Sequence, residues 1–202
     1  MPKLEFSKCS RIKLALFATM LCVVELRAPN ISANPGNTDN PIVVLETTKG
    51  LITAELFPKR APKTTQNFIQ LVNDEFYNGL IFHRVLVGFV IQTGGFDTNF
   101  NPKTSERSVP NESFNGLLNE PGSLAMARET NPDSAMAQFF INMNSNMHLD
   151  AQPGVPGYTV FGKVINGYEI AEQIELSDTQ LTQGMVGVPV VPIQIIKAYM
   201  HQ

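Results

Sequence analysis

The residues best suited to chemistry in this 202-residue chain lie within one apolar stretch, FHRVLVGFVIQTGG, at 82–95. The stretch is otherwise apolar or glycine, and its exceptions are His83, Arg84, Gln92 and Thr93. A histidine beside an arginine could form a catalytic pair or a buried structural pair, or the two could have different roles. Neighbouring residues in a β-strand point to opposite faces of the sheet, so only one of the two can face a given cleft.

Several familiar kinds of catalytic site have no motif in this sequence. It contains no phosphate-binding loop and no Gly-x-Gly-x-x-Gly, and it lacks the Gly-x-Ser-x-Gly of serine hydrolases. No two of His83, His148 and His201 have the spacing of metal ligands. A carboxylate pair for glycoside hydrolysis stays open, although no motif marks one. The remaining apolar and amide side chains with one arginine suit binding or distortion of an extended peptide, and predict neither metal nor cofactor.

The first 33 residues have the three parts of a secretory signal peptide. Basic residues lead (Lys3, Lys8, Arg11 and Lys13), an apolar run follows at 14–24, and small residues end the segment at Ala33. The run is shorter than the roughly 20 residues of a membrane-spanning helix, and no amphipathic period supports the alternative of a buried helix. We therefore predict a signal peptide at 1–33, a polar linker at 34–40 and one domain at 41–202. Whether the signal is retained as an anchor stays open.

Composition and charge indicate one exported globular domain. The chain is 43% hydrophobic and 16% charged with a formal net charge of −3, which is ordinary for a globular protein. Without residues 1–33 the chain has ten basic and sixteen acidic residues, and both cysteines, Cys9 and Cys22, are gone. Such a mildly acidic chain lacks the basic patch of a nucleic-acid-binding protein. We expect an exported monomer, free of the membrane after signal cleavage and periplasmic in a Gram-negative cell.

The pattern of short apolar segments predicts a mainly β fold. Eight strands are predicted at 42–48, 51–57, 81–86, 89–92, 122–127, 137–142, 158–164 and 190–199. Helical spacing predicts two α-helices, one from Pro62 and one at 167–176. Polar and Gly/Pro-rich stretches at 97–118 and 177–188 are predicted as loops. Eight short strands with two helices favour a closed eight-stranded antiparallel β-barrel, which leaves no exposed sheet edge.

Five blocks of sequence resemble one family. FHRVLVGFVIQTGGF (82–96) closely resembles the signature of cyclophilin-type peptidyl-prolyl isomerases. Four others resemble family blocks in the same order, namely LFPKRAPKTTQNF (56–68), GSLAMAR (122–128), SAMAQFFIN (134–142) and GYTVFGKVINGYEI (157–170). The match spans about 42 to the C-terminus and looks most like the exported bacterial branch. The resemblance implies an eight-stranded barrel capped by two helices, and a cofactor-free isomerase of proline-containing polypeptides.

The resemblance also implies which residues form the site. It assigns catalysis to Arg84, Phe89 and Gln92. It assigns substrate binding to Val90, Ala127, Arg128, Gln138, Phe140, His148, Leu149 and Tyr158. If Arg84 faces the groove, His83 faces the interior, and we interpret His83 as a buried, hydrogen-bonded structural residue.

Of the positions that depart from the common family pattern, three bear most on ligand binding. His148 stands where many members have a tryptophan that helps bind cyclosporin, and the chain has no tryptophan, so weak cyclosporin binding is expected. Tyr158 stands where many members carry histidine, and Arg128 replaces a common asparagine and would favour acidic substrates.

Two other functions are compatible with a barrel of this kind: a proline-peptide-binding chaperone of the same fold with little turnover, and a small-ligand carrier. The complete set of site residues argues against the chaperone, and the bulky inward strand residues argue against the carrier.

Overall fold

The computed structural model of the protein describes residues 40–201. The predicted signal peptide and the predicted linker, except Asn40, lie outside these residues. The ten strands are β1 (Ile42–Thr47), β2 (Gly50–Leu56), β3 (Arg84–Leu86), β4 (Val90–Thr93), β5 (Ser123–Met126), β6 (Phe139–Asn142), β7 (Val160–Asn166), β8 (Thr179–Thr182), β9 (Met185–Pro189) and β10 (Ile195–Met200). The helices are α1 (Pro62–Asn73) and α2 (Tyr168–Glu175), with short 3₁₀ helices at Ser113–Asn115, Pro132–Ser134 and Met147–Leu149.

Eight of these strands form one antiparallel sheet in the order β10-β1-β2-β7-β5-β6-β4-β3. Every predicted strand segment overlaps one of them, and both α-helices lie where helical spacing predicts them. The predicted closed barrel is wrong, because the end strands β3 and β10 are not paired along their lengths and the sheet is an open half-barrel. Across the gap, Ile81 and Gln194 form an isolated bridge, and the Phe82 amide donates to the Ile193 carbonyl at 2.9 Å.

A small hairpin explains why β3 ends the sheet. Residues 177–188 are predicted as a loop, but β8 and β9 pair there as a two-stranded antiparallel sheet, and β9 packs against β3. The β8 strand is almost entirely exposed, so it lacks the apolar alternation by which half-buried strands are predicted. Covering an edge with a neighbouring element is one way in which proteins limit unwanted strand pairing.

The interior of the half-barrel is filled by aromatic side chains. The Phe68 ring of α1 lies 5.2 Å from Tyr77, 5.2 Å from Phe139 and 5.0 Å from Phe161, measured between ring centroids. All four residues are fully buried, and the Tyr77 hydroxyl donates to the Ala137 carbonyl at 2.9 Å. This packing holds α1 against the core of the half-barrel and leaves the opposite face of β3–β7 for the site.

Candidate peptide-binding site

Strand register places the site residues in one row across the sheet. Arg84 of β3 lies opposite Gln92 of β4, which lies opposite Phe140 of β6. The row continues through Ala125 of β5 to Val160 of β7. Because side chains alternate along each strand, these residues share the face opposite the aromatic core. The row therefore combines a cation from β3 and an amide from β4 with an apolar floor from β6, β5 and β7.

A cavity of about 290 Å³ opens over this row. Its lining consists of Arg84, Phe89, Val90, Gln92, Ala127, Arg128, Phe140, Leu149 and Tyr158. The structure thus brings together nine of the eleven predicted site residues. Val90 and the three apolar side chains of the row form a second apolar cluster, separate from the main core. The cavity can hold a small apolar group beside the guanidinium.

Amide side chains hold the Arg84 guanidinium at the edge of this cavity. Its Nη1 donates to Gln92 Oε1 at 3.2 Å, and Gln92 Nε2 donates to Gln138 Oε1 at 2.9 Å. Gln138 packs on Gly95, where an added Cβ would come within 2.5 Å of the Gln138 Nε2 atom. The last glycine of the 82–95 stretch therefore makes room for the side chain that ends this chain of hydrogen bonds.

The Phe89 ring connects the cavity to His148, a predicted site residue that lies outside its lining. Its centroid is 5.6 Å from the Arg84 Cζ atom. On its other side the exposed His148 ring stacks with a centroid separation of 5.5 Å and an interplanar angle of 22°. His148 therefore extends the aromatic wall outward, where a larger ligand could reach it.

A second cavity of about 240 Å³ adjoins the first. Gln92, Ala127 and Arg128 line both cavities, and Gln138 lines the second. Lys103, Thr104, Glu129 and Ser134 also line the second cavity, so it adds charged and hydroxyl side chains. A peptide in the first cavity could therefore place a neighbouring side chain in the second.

A buried amide network behind the cavity wall was missed by sequence reasoning. Asn142 Nδ2 donates to Ser123 Oγ at 2.9 Å, and Asn142 Oδ1 accepts from Asn146 Nδ2 at 2.7 Å. Asn146 Nδ2 also donates to the Phe89 carbonyl at 3.0 Å. Asn142 is fully buried, and unpaired buried amides are costly, so the network fixes the backbone that carries Phe89. Scattered asparagines have no period, so no sequence signal marks them.

His83 faces the interior, as predicted from strand alternation. It is 4% exposed, and its ring packs edge-on against Phe96 at 4.8 Å. The predicted hydrogen bond is absent at Nδ1, which has no partner among the described residues. Burial lowers the pKa of His83 from 6.5 to about 4, with a smaller lowering by the Arg84 charge and a partial offset from polar groups of Ile81 and Gln138. The residue is therefore neutral at physiological pH.

This neutral histidine should make stability depend on pH between 6.5 and 4. The unfolded chain binds a proton at His83 below about pH 6.5, whereas the folded protein binds it only below about pH 4. The folded protein therefore keeps its full free energy of unfolding above about pH 6.5 and loses part of it, through protonation of His83 in the unfolded chain, as pH falls towards 4. From pH 7 to pH 5 the free energy of unfolding should fall about 2 kcal/mol more in the wild type than in His83→Gln. Urea titrations at both pH values measure this, and equal falls would contradict it.

Two negative findings apply to residues 40–201. No helix there is long and apolar enough to cross a membrane. Within the same residues, no group of three or more His, Cys, Asp or Glu side chains is placed to hold a metal ion.

Comparisons with known proteins identify the family and agree with the fold. The sequence profile of the family described as "Cyclophilin type peptidyl-prolyl cis-trans isomerase/CLD" matches residues 42–200. A peptidyl-prolyl cis-trans isomerase of Acinetobacter baylyi is 47% identical over 158 residues, which cover 78% of this chain and 84% of that protein. The peptidyl-prolyl cis-trans isomerase A of Dickeya dadantii is 40% identical over 185 residues, which cover 91% of this chain and 95% of that protein.

A solved structure shows the same architecture. The crystal structure of a cyclophilin-type peptidyl-prolyl cis-trans isomerase of Cryptosporidium parvum superposes with a TM-score of 0.68 at 27% identity. The match covers 81% of this chain and 98% of that one. A half-barrel with an apolar cavity beside an arginine is suited to binding an extended peptide. The chain belongs to the cyclophilin-type peptidyl-prolyl cis-trans isomerase family. Its activity is peptidyl-prolyl cis-trans isomerisation.

Proposed function

We propose that Arg84 accelerates isomerisation by donating a hydrogen bond to the proline nitrogen of a twisted X–Pro bond. Amide resonance sets a barrier of roughly 18–20 kcal/mol to this rotation. When the bond twists, the nitrogen loses conjugation and becomes a better hydrogen-bond acceptor. A donor aimed at that nitrogen therefore binds the transition state more strongly than either ground state.

The geometry around Arg84 supports this role. The guanidinium is planar and permanently charged, and Gln92 orients it through the 3.2 Å hydrogen bond. In the proposed complex, Phe89, Val90, Phe140 and Leu149 surround the proline ring, while Ala127 and Arg128 hold the peptide backbone. A held guanidinium beside an apolar cavity is the single observation that carries the proposal. No covalent bond forms or breaks, so these residues need no proton transfer to complete the reaction.

Binding of proline peptides is supported by the related Cryptosporidium isomerase. A structure of that protein in the presence of the dipeptide Ala-Pro superposes on this chain with a TM-score of 0.66 at 27% identity. The deciding experiment measures binding and isomerisation of the same short X–Pro peptide by the purified protein. Acceleration at saturating enzyme is expected, whereas tight binding without acceleration would instead favour the peptide-binding chaperone.

We further propose that the protein acts on exported proteins as they fold. The supporting observation is the predicted signal peptide at 1–33, with export to the periplasm in a Gram-negative cell. Expression of the full chain in a Gram-negative host, followed by fractionation and mass measurement, tests this. A periplasmic product that lacks the first 33 residues is expected. A full-length product confined to the cytoplasm would contradict the proposal, while isomerase activity in either fraction reports the enzyme itself.

Cyclosporin should inhibit this isomerase weakly, because His148 has an imidazole ring where many family members have the indole of a tryptophan. We expect His148→Trp to bind cyclosporin about tenfold more tightly than the wild type, since buried indoles are strong contributors to binding. Cyclosporin titration of isomerase activity measures the change. The matched control is His148→Phe, which adds a ring without the N–H donor and should gain less. Tight inhibition of the wild type would show that the missing indole does not matter.

A further inference from the structure

Arg128 is a cation held rigidly where the two cavities meet. Its Nε donates to the Gly157 carbonyl at 3.3 Å, and its Nη2 donates to the Pro156 carbonyl at 3.1 Å. Its Nη1 donates to the Glu129 carbonyl at 2.8 Å and to the Thr130 carbonyl at 3.4 Å. The guanidinium carbon also lies 4.7 Å from the Tyr158 ring centroid. These bonds fix the side chain. Because all four acceptors are neutral backbone carbonyls, none of them compensates its positive charge.

The charges around the cavities are mainly positive, in contrast to the net charge of the chain. The described lining of the first cavity contains Arg84 and Arg128 and no carboxylate. The second cavity adds Lys103 and one carboxylate, that of the exposed Glu129. Lys103 is directed to Phe76, whose carbonyl accepts from its Nζ at 2.6 Å. Arg84 is assigned to the proline nitrogen and lines only the first cavity. Arg128 is therefore the cation that both cavities share.

We propose that Arg128 makes this isomerase prefer substrates with an acidic side chain two residues from the proline. The proposal rests on the proposed placement of the proline ring in the first cavity. In an extended peptide the neighbour of proline points away from the groove, and the side chain two positions along returns to it about 7 Å away. A carboxylate there would approach a cation that is already ordered, so little side-chain entropy is lost on binding.

Peptide pairs that differ only in charge test this preference. One series carries Glu or Gln two residues before proline, and the other carries Glu or Gln two residues after it. At low ionic strength the wild type should show a kcat/KM about threefold higher for the Glu peptide in at least one series, the size of an exposed ion pair. At about 1 M NaCl the ratio should approach one, because the Debye length is then only about 3 Å. A ratio near one in both series at low salt would overturn the proposal.

Protein variants assign the preference to Arg128. The Glu-to-Gln ratio within each variant is compared, so that changes in basal rate cancel. Arg128→Gln should abolish the preference and Arg128→Lys should keep part of it, whereas Lys59→Gln, which removes an exposed cation outside both linings, should keep it whole. Persistence of the preference in Arg128→Gln would overturn the assignment. If Arg128→Gln does not fold, a peptide with Lys at the same position replaces that test. The wild type must then isomerise the Lys peptide more slowly than the Gln peptide. Turnover of the Gln peptides reports the isomerase reaction separately.

Discussion

Replacing Arg84 with alanine is expected to lower kcat/KM for a short X–Pro peptide by about 10²–10³-fold, the usual cost of losing one preorganised transition-state donor. Most of the loss should fall on kcat, since the proposed bond to the proline nitrogen forms only when the X–Pro bond is twisted. The apolar cavity is built by other side chains, so peptide affinity should change much less. Isomerisation kinetics and calorimetric peptide binding, measured on the same preparation, separate the two effects.

Two further arginine variants make this result specific. Arg84→Lys keeps the charge but loses the planar fork, and it should lie between the wild type and Arg84→Ala. Arg107→Ala removes an exposed arginine outside the lining of the first cavity and should match the wild type. An Arg84→Ala protein that binds peptide and isomerises it at the wild-type rate would rule out the donor mechanism.

Gly157→Ala should be the most damaging single-methyl change near the site. An added Cβ would overlap the Leu149 carbonyl oxygen and the Ala151 nitrogen, and it would lie 2.5 Å from the Asp150 carbonyl carbon. All three atoms belong to the backbone and cannot rotate away, and Leu149 lines the cavity. We expect the free energy of unfolding to fall by about 3 kcal/mol. Peptide affinity should fall as well.

The control for this variant lies three residues earlier in the same loop. Gly154 has a φ of +77°, but an added Cβ would meet no atom within 4 Å. Gly154→Ala should therefore cost only the backbone strain, about 1 kcal/mol, with peptide affinity retained. Urea unfolding and peptide titration compare the two variants. Equal losses would show that steric overlap at Gly157 is not the cause.

Local patterns were enough to predict much of the fold and the orientation of the site. Strand alternation at 82–95 predicts that Arg84 faces the groove and His83 the interior, and the structure places Arg84 in the cavity lining and buries His83. The same alternation separates the core residue Phe139 from Phe140, which lines the cavity. The resemblance supplied the roles of these residues, and those roles stay predictions until the variants are measured.

Features that depend on distant parts of the chain were not predictable in the same way. Whether a sheet of eight strands closes depends on how its first and last members meet, and here β9 packs on β3. The hydrogen bond from the Gly88 amide to Glu175 Oε1, at 2.7 Å, likewise joins residues 87 positions apart. Neither contact leaves a periodic trace in the sequence, so neither could be derived from local spacing.

The row of residues beneath the cavity determines the stage of its own folding at which the enzyme becomes active. Its members run from Arg84 on β3 to Val160 on β7, and register brings them together only when five strands have paired. Such non-local pairing comes at a high loop-closure cost and is slow compared with helix formation. A nascent or partly folded copy therefore has no working groove. The isomerase must complete its own folding before it can act, and its activity directly reports the completed sheet.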